Sequence, residues 1–263
     1  MFINWGLESM KWQYLVSHIQ KLSFTRTFSA VMAGVAVSSF TPNRVGEFAG
    51  RMLFLENKLD PRVVALTIIG SMSQLMITLI IGLPGLLIFL NRDYHGISIL
   101  WEWIKIILYA LPFIYIVVFY NLPVIFRWLK RRFATNKTIK HITNGASFLN
   151  RRGLGFISLL SLIRYMIFGI QFMLVLLFFN VDISWVEGLI YIPVIFFVQS
   201  VIPSFIIVEV GVRIAIAVAV LNFTNSPQNN IIASSSLLWV INIMIPALLG
   251  VFALFSTKLS NNE

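Results

Sequence analysis

The sequence predicts an all-α polytopic membrane protein with about five full spans plus two proline-broken re-entrant hairpins, arranged as an inverted repeat. Three observations carry this. Of 263 residues, 58% are hydrophobic and only 11% are charged, less than half the roughly 25% usual for soluble domains. Several apolar stretches reach the ~20 residues needed to cross the hydrocarbon. Two others stop short at a proline followed by a Glu–Arg pair: "TPNRVGEFAGR" at 41–51 and "PSFIIVEVGVR" at 203–213. Residues 1–263 read as a single transmembrane domain.

Residues 1–26 mix Trp5, Trp12, Tyr14 and Leu15 with Glu8, Lys11, Lys21 and Arg26, the pattern of an amphipathic helix lying at the membrane interface. These charges precede any long apolar run and no small-residue cleavage site follows, so no cleaved signal peptide is expected. Residues 27–62 form the first re-entrant segment, because the apolar run Thr27–Thr41 ends at Pro42, too early for a full span. Val63–Leu90 crosses, with a kink expected at Pro84. Leu100–Tyr120 crosses next, with Trp101 and Trp103 as interfacial anchors. Phe156–Phe179 crosses with Arg164 inside it, roughly 12 Å along the axis and deeper than a side chain readily snorkels. Residues 188–223 form the second re-entrant segment, with apolar arms Gly188–Val208 and Ile214–Phe223, and Ile231–Ser256 is the last span.

The connector 126–153, "FRWLKRRFATNKTIKHITNGASFLNRRG", holds eight Lys or Arg and no acid. The positive-inside rule makes it a cytoplasmic loop. Nucleic-acid binding competes for such a run, but topogenic loops account for it, so no nucleic-acid partner is expected and contact with anionic headgroups is a by-product. Orientation then propagates. Residues 91–99 lie outside, Val63 starts inside, and the basic N-terminal segment is also inside, so 27–62 must enter and return. Residues 180–187 lie outside; if Lys258 lies inside after one final span, 188–223 must dip in from the opposite face.

Each dip carries a proline and then a Glu with an Arg four residues on: Pro42 with Glu47 and Arg51, Pro203 with Glu209 and Arg213. Ionisable groups near hydrocarbon cost about 2.5 to 3.5 kcal/mol each even on insertion scales, so they pair or face a watery cavity. Proline-broken segments in matching places of two halves point to a transporter-type site near the midplane; structural salt bridges that let each hairpin turn explain the same pairs. Thr41 and Pro42 read as the N-cap and first residue of a helix. Arg44, Glu47 and Arg51 then share one face, and a helix N-terminus beside an arginine suits phosphate. Glu47 either holds Arg44 or Arg51 in place or carries a proton. Gly46 with Gly50, and Gly211 with Ala215, are spaced for close helix packing. Arg164 faces a cavity, with Tyr165, Gln171 and Gln199 as candidate lining, or pairs with a helix end.

The enzyme signals are poor. With no cysteine, neither a disulfide framework nor a thiolate site is available. His18, His95 and His141 are scattered, Asp60, Asp93 and Asp182 sit in connectors, and no HExxH, GxSxG or P-loop occurs. Neither a cofactor, a metal site nor a catalytic residue is expected.

On Pro42-Asn43-Arg44-Val45-Gly46-Glu47, on "EVGVR" at 209–213, on Arg164 within "SLLSLIRYMIF" and on "LLWVINIMIPALLG" at 237–250, most of the chain resembles the flippase-like family built on the transmembrane region of lysylphosphatidylglycerol synthases. The resemblance implies movement of a lipid between leaflets of a bacterial inner membrane, either an aminoacylated phospholipid or a polyprenyl-phosphate-linked precursor. Arg44, Arg51 and Arg164 would meet the lipid phosphate, and Glu47, Glu209 and Arg213 would pair charges or respond to protons. Family members usually carry further spans ahead of a stretch like "ESMKWQYLV", so the resemblance implies a chain that starts late. No aminoacyl-transferase domain follows, so synthase activity is not carried over. A membrane enzyme acting on a lipid phosphate and a non-transporting lipid-binding scaffold stand as alternatives, and a homo-oligomer or partner subunit is left open. The topology is checked by placing single cysteines at Asn57 and Asn225 of this cysteine-free chain: an impermeant thiol reagent should label them from opposite faces, and same-side labelling would end the inverted-dip arrangement.

Overall fold

Uninterrupted runs of Leu, Ile, Val and Phe become long helices in the structure, a computed structural model that describes all residues except 42–44, 58–59, 94–98, 134, 137–140, 145–147, 203–205 and 261–263. The described elements are α1 (Phe2–Val16), α2 (Phe24–Ser38), α3 (Gly46–Met52), α4 (Pro61–Asp93), α5 (Ile99–Tyr120), α6 (Leu122–Arg132), α7 (Arg151–Phe178), α8 (Trp185–Val201), α9 (Ile206–Leu221), α10 (Gln228–Trp239), a π-helical turn (Val240–Met244) and α11 (Ile245–Ser260). Among the described residues, four helices are long and apolar enough to cross a membrane: Pro61–Asn91, Glu102–Tyr120, Arg151–Phe178 and Gln228–Ser256. They correspond to the four crossings named from the sequence, against the about five full spans expected. Helices α2, α8 and α9, in the segments read as re-entrant, have only 15, 17 and 16 residues, short of the ~20 a span requires.

The chain forms two compact units. The first comprises residues 1–74, 119–164 and 241–263; the second comprises 75–118 and 165–240. "TPNRVGEFAGR" therefore falls in the first unit and "EVGVR" in the second.

The first unit is organised around α2, "FTRTFSAVMAGVAVS". Ser23 caps it by accepting the Arg26 N–H at 3.3 Å. Its small side chains let backbones approach on two sides. A Cβ added at Gly50 of α3 would stand 2.5 Å from the Ala33 carbonyl oxygen, and one at Gly46 would stand 2.7 Å from that of Val37. On α11, a Cβ at Gly250 would stand 2.0 Å from the Met32 carbonyl oxygen. These distances are below any real carbon contact, so the three helices pack as closely as glycine allows, as the Gly46/Gly50 spacing suggested.

Local detail adds to the sequence reading here. Helix α3 is described from Gly46, with Val45 at its N-cap position, and Thr41 Oγ1 accepts the Gly46 N–H at 2.8 Å. Pro42 lies outside the described residues. Helix α1, read from the sequence as interfacial, buries Trp5, Trp12 and Leu15 against protein and leaves Phe2, Ile3 and Met10 exposed. The segment 126–153 is not loop throughout, since α6 runs to Arg132 with Lys130, Arg131 and Arg132 in its last turn, where cations oppose the negative end of the helix dipole. Helix α4 starts from Asp60, whose carboxylate accepts the Arg62 N–H at 2.9 Å ahead of Pro61. Burial alone would raise the Asp60 carboxyl, but hydrogen bonds and charge from Arg62, aided by His141, hold it below its ordinary value.

In the second unit, α4 meets α8 through Gly82 and Gly85, where an added Cβ would lie 2.6 Å from Phe197 Cβ and 2.9 Å from the Ile190 carbonyl oxygen. Phe196 stacks with Phe168 and Phe172 and takes the Tyr165 ring edge-on. Helix α7 ends with Asn180 at φ 52°. The Val181 N–H reaches the Leu176 carbonyl, and that of Asn180 reaches Leu177, the paired bonds of a Schellman cap. A capping box then starts α8, Ser184 and Glu187 exchanging side-chain to backbone bonds. A Cβ at Gly211 meets no described atom within 4 Å, so the packing role expected of Gly211 is not seen there.

The Gly250 approach gives a direct test. Gly250→Val should destabilise the protein by about 1 to 3 kcal/mol or more, the cost of overpacking a filled contact, read as a lower thermal midpoint in detergent, whereas Gly155→Ala, in a helix with open space around it, should leave the midpoint unlowered or raise it, since alanine favours a helix over glycine by up to about 1 kcal/mol.

Candidate functional site

A cluster of charge in the first unit gathers on Glu8. Helix α1 is phased so that Asn4, Trp5, Glu8, Lys11, Trp12 and Leu15 fall on a single face, an arc of about 120° at 100° per residue. All six are buried. Burial of charge on the same stripe as the aromatics requires partners, and three elements supply them. Glu8 Oε2 lies 2.8 Å from Lys11 Nζ on α1 itself and 2.6 Å from Arg164 Nη1 on α7, and Glu8 Oε1 lies 3.1 Å from Arg51 Nη2 on α3. Arg51 also pairs with Glu47 one turn earlier on α3. Arg164 Nε donates to Asn4 Oδ1 at 2.8 Å.

The surrounding side chains complete the shell. The Arg164 guanidinium lies 5.1 Å from the Trp5 ring centroid and that of Arg51 lies 5.7 Å from Trp12, within cation–π range. Lys11 Nζ reaches Ser161 Oγ at 3.4 Å, Ser161 shares a 2.7 Å bond with Ser73, and Ser73 donates to the Gly70 carbonyl. Trp12 Nε1 donates to Thr67 Oγ1 on α4 at 3.2 Å. Lys11 and Arg51 are only 2% exposed, while Glu47 and Arg164 retain 21% and 20%. The cluster thus has a sealed interior and two members with partial access. Its formal charge is three cations less two carboxylates, or +1. Arg51 Nε is buried without a partner among the described residues, leaving a donor unspent.

Trp5 does a second job. Pro246 has no N–H to give the Asn242 carbonyl four residues back, and Trp5 Nε1 donates to that oxygen at 3.2 Å. The π-helical turn Val240–Met244 lies at this point of the last span, a deviation frequent at functional sites.

In the second unit, Glu209 Oε1 accepts from Arg213 Nε at 2.9 Å and Nη2 at 2.6 Å, and Arg213 Nη1 donates to Gln199 Oε1 at 2.9 Å. This ties α9 to α8 and places a carboxylate in the first turn of α9, where the helix dipole favours it.

The sequence-predicted residues therefore divide. Glu47, Arg51 and Arg164 come together around Glu8, and Glu209 and Arg213 pair with each other in the second unit. Gly46 and Gly50 pack on α2. Arg44 and Pro203, like Pro42, lie outside the described residues. Missed were Glu8, Asn4 and Lys11. The signal that could have found them is angular: an interfacial helix sets charge opposite its aromatics, whereas Glu8 and Lys11 share the face of Trp5 and Trp12.

The cluster is tested by charge arithmetic. Glu8→Gln should cost about 3 to 5 kcal/mol, because three cations lose a buried counter-charge. Combining it with Arg164→Met should restore part of that loss, seen as a favourable coupling energy in a double-mutant cycle of thermal or denaturant unfolding.

The model of the family described as lysylphosphatidylglycerol synthase TM region matches residues 1–250. No curated protein matches the chain, and no solved structure does.

Proposed function

The chain belongs to the family of the lysylphosphatidylglycerol synthase TM region, and from that premise we propose that it binds the phosphate of an anionic or polyprenyl-phosphate-linked lipid and moves it between leaflets of a bacterial inner membrane. The observation that supports this is the convergence of Lys11, Arg51 and Arg164 on one carboxylate. A carboxylate accepting from several cationic donors sits where a phosphate oxygen would be equally well received, since both are planar or tetrahedral anions matched by guanidinium forks. The excess of one positive charge leaves the cluster able to neutralise one more anion.

In this reading Arg44 and Arg51 hold the headgroup phosphate and Arg164 lines its path. Glu47, the more exposed acid, gives up Arg51 when phosphate arrives. Glu209 and Arg213 form the counterpart in the second unit. The short helices α2, α8 and α9 fit re-entrant arms in 27–62 and 188–223, with 126–153 cytoplasmic. Lipid tails stay in the bilayer while the headgroup passes along polar side chains, so the step needs neither a cofactor nor enzymatic chemistry. The translocating form is a homo-oligomer or a complex with a partner subunit if one chain does not enclose the path.

Reconstitution tests the reading. Liposomes carrying fluorescent phospholipid or polyprenyl phosphate should show protein-dependent leaflet exchange. Arg44→Ala and Glu47→Gln should each slow it by roughly tenfold, the equivalent of one charge-assisted hydrogen bond. Unchanged exchange in both variants, with unaltered melting, would sink the assignment; covalent product from the lipid would point to an enzyme instead.

A further inference from the structure

Helix α6 follows α5 after one residue, Asn121, so its first turn begins where a membrane-crossing helix ends. Its inner side is Leu122, Ile125, Phe126 and Leu129, all buried or half-buried. Two apolar side chains do not join them: Val124 is 48% exposed and Trp128 59%. They alternate with Arg127 and Arg131, both exposed, at the spacing i, i+3, i+4, i+7 that a single helix face presents together. Lys130 and Arg132 flank that face and the helix holds no acid. Arg127 Nε is fixed by the Pro123 carbonyl at 3.2 Å.

We propose that the face made by Val124, Arg127, Trp128 and Arg131 is a docking surface for anionic phospholipid headgroups, built from residues other than those of the Glu8 cluster and independent of whether that cluster moves lipid. Three features select this occupant. An indole and a small aliphatic group set among arginines match the boundary between headgroups and acyl chains, where tryptophan is enriched. Arginine forks pair with phosphate oxygens, and the unrelieved positive charge is attracted to an anionic leaflet. The position directly after a span delivers the helix to that boundary. A water-facing role would leave Trp128 and Val124 exposed with nothing gained, and a duplex nucleic acid offers phosphate but no apolar layer for them.

Because these 263 residues hold no cysteine, Val124→Cys can carry a single environment-sensitive fluorophore on this chain in proteoliposomes. Quenching by nitroxide-labelled phosphatidylglycerol is compared with quenching by nitroxide-labelled phosphatidylcholine at equal mole fraction. The anionic quencher should be several-fold more effective, and high salt should erase the preference. Arg127→Gln and Arg131→Gln should each weaken it about five-fold, with unchanged melting showing that the surface changes leave the fold intact. Equal quenching by both lipids, unaffected by salt and by the arginine changes, would overturn the proposal in favour of ordinary lipid contact. Quenching by neither would overturn it in favour of water, nucleic acid or a protein partner over this face.

Discussion

The ionised carboxylate of Glu8 is the constraint on which the first unit depends. An isolated charge taken out of water is several kcal/mol uphill, and only well-placed counter-charges and hydrogen bonds offset it. Those partners come from different parts of the chain: Lys11 from α1, Arg51 from α3 and Arg164 from α7. Ser161 and Ser73 carry the network on to α4. Each helix is therefore fixed in rotation about its own axis as well as in position, because a turn of one residue would bury a charge against hydrocarbon. Apolar packing in a membrane is weakly directional, lipid tails being as apolar as leucine; the charge network supplies the direction.

Close packing on α2 makes that network reachable. Arg51 stands on the seven-residue helix α3, and Gly50 and Gly46 press this helix onto Ala33, Gly34 and Val37. Gly34 contributes from the other side: a Cβ there would come within 3.0 Å of Arg51 Cγ and of the Glu47 carbonyl oxygen. Substituting larger side chains would move Arg51 outward by the thickness of a methyl group, enough to turn its 3.1 Å contact with Glu8 into one too long to count as a hydrogen bond. Small residues and buried ions thus form one design, in which the first permits the second.

Much of this was legible locally. Long apolar runs give α4, α5, α7 and the last span; the i,i+4 spacing places Glu47 over Arg51 and Glu209 over Arg213; the depth of Arg164 in its helix demands a partner. What escaped is long-range. Nothing near Arg164 says that its carboxylate is Glu8, 156 positions away, and α1 reads as a surface helix when its aromatic and charged residues are counted rather than placed by angle. Thr41 with Pro42 has the composition of a cap and a first helical residue; Thr41 Oγ1 accepts the Gly46 N–H, and Pro42 lies outside the described residues. Gly211 shares its spacing with packing motifs, yet an added Cβ there meets no described atom within 4 Å, since spacing permits contact without requiring it.

The bond from Trp5 to the Asn242 carbonyl joins residues 237 positions apart. A ribosome delivers α1 long before the last span, so the Trp5 indole donor waits until Asn242 has been made, whereas Glu8 meets Lys11, Arg51 and Arg164 earlier in synthesis. Contacts of such high sequence separation carry the largest loop-closure cost and form late. The first unit consequently closes late, when the last span reaches α1, and a nascent protein halted before Asn242 would lack the acceptor that Trp5 meets in the finished fold.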